Sequence, residues 1–231
     1  MNIKPKILIV DDEPDICEIL SFNLSNEGLD VKTAYSAEEA LELVTPDLSL
    51  ILLDIMMEGM SGYKMAEKLR NEGNQIPIIF LTAKRTENDM LTGFSVGADD
   101  YIAKPFSVKE VIARIKALLK RSESITKKEK TATSLEFDSL VIDLASKELF
   151  IDKELINLTK TEFEILALLA NNPTRIFSRE DIINVVWVET PYITERTVDV
   201  HITRLRKKMK EHASLITSRS GYGYRFNISD E

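Results

Sequence analysis

Residues Ser49–Leu53, closed by Asp54, form an apolar run with no alternation between apolar and polar side chains. A strand of that kind is buried on both faces, and such strands belong to parallel sheets covered by helices on each side. Three further strand-like runs end in the same way: KILIV before Asp11, IIFL before Thr82 and YIA before Lys104. Strands are expected near 6–10, 31–35, 49–53, 76–82 and 100–103. Helical patterns fall between and after them, near 14–27, 37–45, 62–72, 86–96 and 108–121. The alternation predicts a flavodoxin-like (βα)5 doubly wound α/β domain.

In an open parallel sheet, ligands bind beyond the carboxyl ends of the strands, where the strand order reverses. Asp11, Asp12, Asp54, Thr82 and Lys104 each lie just past such an end, so the fold gathers them at one edge. Acidic decoration of a helix start accounts for Asp11-Asp12-Glu13-Pro14 taken alone. It does not account for four separate strand ends carrying carboxylates, a hydroxyl and an ammonium. Three carboxylates call for a hard cation, with Mg²⁺ favoured by oxygen ligands and retained waters, and the carbonyl of Met56 as a further ligand. The hydroxyl and ammonium suit phosphate oxygens. The expected event is phosphoryl transfer onto Asp54, an aspartate nucleophile forming an acyl phosphate. A cis bond at Lys104-Pro105 would turn the ammonium back over the site.

A chain of 231 residues has room for two cores. Residues 1–121 form the first domain. Residues 122–133, SESITKKEKTAT, lose apolar periodicity and read as a polar linker. Residues 134–231 open with short alternating runs that suit a small antiparallel sheet, followed by three helical patterns and a Gly-rich hairpin. The helices start at Thr159, with Glu162 placed for a capping box, at Ser178, and near Thr194, the last running to about Glu211.

The net charge of −8 excludes a generally basic nucleic-acid binder, so any DNA contact must come from a local face. One helix offers it. Val198, Ile202, Leu205 and Met209 make a core stripe, and Arg196, Thr197, Arg204, Lys207 and Lys208 are expected on the opposite arc. A helix fixed by one stripe with cations opposite fits a DNA major groove: Arg204 suits guanine, while Lys207 and Lys208 suit phosphates. The single Cys17 sits in a helical pattern, which suits a core residue in a reducing cytosol. Met1–Lys6 leads straight into a strand, and no apolar run reaches the roughly 20 residues that span a bilayer. Neither His201 nor His212 has the companions of a metal site.

The motifs VDDEPD (10–15), LLDIMMEGMSG (52–62), LTA (81–83) and GADDYIAKPF (97–106) resemble the receiver domain of bacterial two-component response regulators. LTKTEFEILALLANNP, FSREDIINVVW, RTVDVHITRLRKKM and SGYGYRF resemble the winged helix-turn-helix effector of the OmpR/PhoB family. The resemblance implies a cytoplasmic, phosphorylation-controlled transcription regulator. In it Asp54 is the phosphoacceptor, Asp11 and Asp12 are Mg²⁺ ligands, and Thr82 and Tyr101 are the switch. It further implies a sensor histidine kinase as phosphoryl donor and a homodimer on activation, with Leu91, Phe94, Asp100, Glu110 and Arg114 on the dimer face. The implied DNA contacts include Arg219 in the wing hairpin, and Val188–Ile193 match the segment through which family members touch RNA polymerase. The chain departs from the family at three places: Glu58 replaces the usual Pro, Met90 replaces an Arg that would pair with Glu110, and the wing turn is one residue longer. A haloacid-dehalogenase-type phosphatase shares the Asp, Thr and Lys chemistry, but places an acid/base Asp two residues after the nucleophile, where this chain has Met56.

Overall fold

The computed structural model describes residues 4–83, 96–120, 134–187 and 193–228. The helix expected over 86–96, with Met90, Leu91 and Phe94, lies outside the described residues. So do the linker 122–133 and residues 188–192. The chain forms two compact units, 1–120 and 121–231.

The first unit alternates strands and helices. β1 (Lys6–Val10), α1 (Pro14–Asn26), β2 (Asp30–Ala34), α2 (Ala37–Leu43) and β3 (Leu48–Asp54) come first, then α3 (Gly62–Asn71) and β4 (Ile78–Thr82). β5 (Asp100–Ala103) and α4 (Val108–Lys120) close it. The five strands pair in parallel in the order β2-β1-β3-β4-β5. This is the flavodoxin-like arrangement, and β1 and β3 flank the point where the order reverses. β3 is buried along nearly its whole length, as its lack of alternation requires.

Local chemistry sets the ends of these elements. Pro14 stands in the first turn of α1, where its missing N–H leaves nothing unsatisfied. The Ser36 hydroxyl accepts the N–H of Glu39 at 3.1 Å and starts α2. Ser61 does the same for Lys64 at α3. Gly62 begins α3 against the end of β3: a Cβ there would lie 2.1 Å from the carbonyl oxygen of Asp54. Only glycine permits the helix to start so close to the strand end. Cys17, Leu20 and Leu24 of α1 join Ile7, Ile9, Leu50, Leu52, Ile79, Leu81, Ile102 and the inner stripe of α4 in one core.

The second unit opens with an antiparallel sheet of β6 (Ser134–Phe137), β7 (Leu140–Asp143), β8 (Glu148–Ile151) and β9 (Glu154–Ile156). Helices α5 (Lys160–Ala170), α6 (Arg179–Val186) and α7 (Glu195–Met209) follow. A hairpin of β10 (Ile216–Arg219) and β11 (Gly223–Phe226) ends the unit. Thr159 and Glu162 form the expected capping box, and Ser178 with Asp181 forms a second. The last helix stops earlier than expected. Lys210 takes φ +51 and residues 210–215 continue as a 3₁₀ turn, which places Glu211 beyond α7. Val198, Ile202, Leu205 and Met209 are all fully buried, as their spacing predicts, in a core shared with Phe163, Leu166, Trp187 and Phe226.

Candidate metal centre and nucleic-acid interface

Parallel pairing carries the ends of β1, β3, β4 and β5 to one edge of the first sheet. Ile9 pairs with Leu52 and Val10 with Leu53, so Asp11 and Asp54 emerge side by side. Carboxylate oxygens of Asp11, Asp12 and Asp54 lie within 4.8 Å of one another. Asp11 is 0% and Asp54 3% exposed, while Asp12 is the most open of the three. Three oxygen donors at that spacing, open on the Asp12 side, fit a small hard cation.

Lys104 completes the cluster. Its Nζ lies 2.9 Å from Asp11 Oδ2 and 3.0 Å from Asp54 Oδ2, with Glu13 Oε1 also at 3.0 Å. The Lys104-Pro105 peptide is cis, as the dipeptide suggested. Burial alone would lower the ammonium's pKa, but hydrogen bonds to Asp11, Asp54 and Glu13 outweigh it and hold it above its ordinary value. Burial likewise raises the Asp11 carboxyl, against the opposing pull of Lys104. Thr82 is fully buried at the end of β4, and its carbonyl accepts the N–H of Lys104 at 2.6 Å.

The loop after β3 is tied down by its own backbone. The N–H of Met56 donates to Asp54 Oδ1 at 3.2 Å, and that of Glu58 to Asp12 Oδ2 at 3.2 Å. The N–H of Met60 reaches Glu38 Oε1 at 3.2 Å. Sequence reasoning marks Glu58 as a departure but gives no sign of its bond to Asp12. Cys17 is buried, with its thiol donating to the Asp11 carbonyl at 3.4 Å, and burial pushes that thiol up to about 11.

On the far edge, Tyr101 is 6% exposed and packed inside. Arg114 donates two bonds to Asp100, at 3.0 and 3.1 Å, and two more to Glu110. Arg114 thus makes the pair with Asp100 that the sequence offers, and meets Glu110 as well. Glu110 and Arg114 stand four residues apart on α4 and so share one face of the helix.

In the second unit, the expected reading residues divide. Arg196 and Lys207 are exposed on α7, and Arg219 is exposed at the end of β10. Thr197 is 2% exposed, with its hydroxyl 3.3 Å from that of Thr194, so its expected place on the outward arc is corrected. It neighbours Val198 and lies one turn before His201, on the flank that packs inward. Arg204 and Lys208 both reach Glu162, at 2.9 and 2.7 Å. The wing turn is built on Arg219–Tyr222, closed by the N–H of Tyr222 on the Arg219 carbonyl at 2.9 Å. Gly221 takes φ +77 at its third position, a conformation that glycine adopts without strain. Tyr224 ties the wing to the helices: its hydroxyl donates to Asp199 at 2.6 Å, beside Arg179 at 2.7 Å from the same oxygen. His201 is buried beside Trp187 and His212 bonds Ser139, so both stand in the scaffold.

The response regulator receiver domain model matches residues 7–116, and the model for the C-terminal domain of transcriptional regulatory proteins matches 152–226. This chain is a response regulator of the OmpR/PhoB family. It is 42% identical to the transcriptional regulatory protein SrrA of Staphylococcus aureus over 231 residues, covering 96% of this chain and 95% of that one. Among solved structures, a mutant of RitR aligns over 97% of this chain and all of that one, with a TM-score of 0.77 and 26% identity. DrrB, an OmpR/PhoB homolog from Thermotoga maritima, covers the same shares at 30% identity and a TM-score of 0.52. This response regulator therefore joins a receiver domain to a DNA-binding domain and regulates transcription within a two-component system. Among the described residues, no helix is long and apolar enough to cross a membrane.

Proposed function

We propose that Asp54 accepts a phosphoryl group from a sensor histidine kinase and that the acyl phosphate controls promoter binding. In that step the P–N bond of a phosphohistidine breaks, a P–O bond to an Asp54 carboxylate oxygen forms, and the freed imidazole nitrogen takes a proton. Asp11, Asp12 and Asp54, with the Met56 carbonyl, would hold Mg²⁺, which supplies charge neutralisation for the transferring group. Lys104 then pairs with the phosphoryl oxygens, and the Thr82 hydroxyl and Tyr101 ring move with it. Phosphorylation adds roughly two negative charges. The arrangement supports self-phosphorylation and slow self-hydrolysis rather than turnover of external substrates.

Downstream, the face formed by residues 84–121 pairs with a second copy, and two effector domains engage paired DNA half-sites in the cytoplasm. Arg196, Lys207, Lys208 and Arg219 supply phosphate and groove contacts, with Arg204 aimed at a base edge. The segment Val188–Ile193 is the proposed contact with RNA polymerase. One observation carries the phosphorylation reading: three clustered carboxylates share an edge with an ammonium 3.0 Å from Asp54. Incubation with acetyl phosphate and Mg²⁺, followed by intact mass, tests it. A gain of one phosphoryl group that disappears in Asp54→Ala is expected. An unlabelled wild type, or an equally labelled variant, refutes it.

A further inference from the structure

Glu162 is the third residue of α5 and is 0% exposed. Its Oε2 accepts the N–H of Thr159 at 2.8 Å, closing the capping box. A glutamine would serve that purpose equally well, because a capping box needs one acceptor and no charge. The other capping box of this domain shows the plainer case: Asp181 lies at the surface, its Oδ2 taking the N–H and the hydroxyl of Ser178 at 2.9 and 2.8 Å. Glu162 instead holds a full carboxylate inside the domain, which is unfavourable unless cations meet it there. Two do. Arg204 Nη2 stands 2.9 Å from Oε1, and Lys208 Nζ stands 2.7 Å from Oε2 while also donating to the Asn157 carbonyl at 2.8 Å. The two cations sit four residues apart on α7, so one carboxylate meets successive turns of the same helix.

We infer that Glu162 is a positioning residue for base reading: its buried carboxylate fixes the guanidinium of Arg204, and so sets the sequence discrimination of α7 without touching DNA. The inference rests on the DNA-reading role proposed above for this domain. A guanidinium is a planar fork, and its value in reading a base lies in holding that plane. The Arg204 side chain is 14% exposed, and its Nη2 stands in ion-pair contact with the buried carboxylate of Glu162. Fixing it beforehand removes an ordering step from the binding event. The same carboxylate cancels positive charge near the groove, weakening indiscriminate attraction to phosphates. Glu162 therefore raises specificity by aiming the reader, while the charge it cancels lowers affinity for every sequence alike.

The test uses the full-length chain, a duplex enriched from a random-sequence pool by the wild type, and a scrambled duplex of equal length, at one salt concentration. For Glu162→Gln, the ratio of scrambled to enriched Kd falls about tenfold, while the scrambled Kd holds or tightens. In the Arg204→Ala background, the same substitution lowers the ratio no further. A ratio within twofold of wild type overturns the inference, as does a parallel loss on both duplexes, which marks mere loss of structure. A further drop in the Arg204→Ala background also overturns it, since Glu162 would then act through another group. Where circular dichroism finds Glu162→Gln unfolded, Arg204→Lys decides: it keeps the charge facing Glu162 but lacks the fork. A tenfold loss of ratio supports the inference and an undiminished ratio rejects it. A wild type that enriches no sequence from the pool defeats the DNA reading itself, a result distinct from all of these.

Discussion

The backbone N–H of Glu58 donates to Asp12 Oδ2 across 46 residues of sequence. The family's usual proline at this place has no N–H to give, so the bond is one that this chain's departure from the pattern makes available. It restrains the most open of the three clustered carboxylates. Glu58→Ala keeps the N–H and Glu58→Pro removes it, which separates backbone from side chain. We expect Glu58→Pro to raise the Mg²⁺ concentration for half-maximal acetyl phosphate labelling about fivefold, in line with a hydrogen bond of about 1 kcal/mol. Glu58→Ala should stay within twofold of wild type. Equal shifts in the two variants would place the effect in the lost side chain.

Lys104 is the sole described cation within bonding distance of both Asp11 and Asp54. Lys104→Met leaves two buried carboxylates facing each other and should destabilise the receiver by about 2 kcal/mol at neutral pH. Added Mg²⁺ should raise the Tm of the variant more than that of the wild type. Calorimetry with and without the ion measures both; an equal response in the two proteins would mean that Lys104 does not share the ion's position.

Arg114 holds Asp100 and Glu110 within one chain, and Asp100 is 1% exposed. Truncation to Arg114→Ala strands a buried carboxylate, for which a loss of about 3 kcal/mol is expected in urea unfolding. Asp100→Asn together with Arg114→Ala should recover part of it. A double variant no more stable than the single one would show that packing by the Arg114 stem, not charge, sets the loss.

Two wing glycines make a matched pair. A Cβ on Gly223 would lie 2.0 Å from the Phe177 carbonyl oxygen, whereas one on Gly221 meets nothing within 4 Å. Gly221→Ala carries only the strain of φ +77, about 1 kcal/mol. Gly223→Ala must push backbone apart and should lower the effector's Tm at least twice as far. Thermal unfolding followed by Trp187 fluorescence decides, and similar shifts would contradict the packing argument.

The unalternating run ending in Asp54 is enough to read the parallel sheet, because burial on both faces leaves a one-dimensional trace. The carboxylate cluster is legible for the same reason: strand ends converge whatever the loops do. Thr197 is misplaced by periodicity because a helical arc drawn from spacing has no sharp margin, and its neighbours Val198 and His201 draw it inward. The link from Arg114 to Glu110 follows from their i,i+4 spacing on one helix, whereas its link to Asp100 joins that helix to a strand. Glu162 is visible in the sequence only as a cap. Its cations arrive from α7, more than forty positions later, and no local pattern encodes that meeting.

Phe177 and Tyr224 exchange both backbone hydrogen bonds, at 2.8 and 2.9 Å, where Gly223 lies flush against the chain leading into α6. The root of the hairpin is thereby stitched to the helical scaffold, leaving length to vary only at Ser220–Tyr222. A change of length at the tip would therefore alter how far the hairpin extends, while its root keeps a fixed distance from the helices.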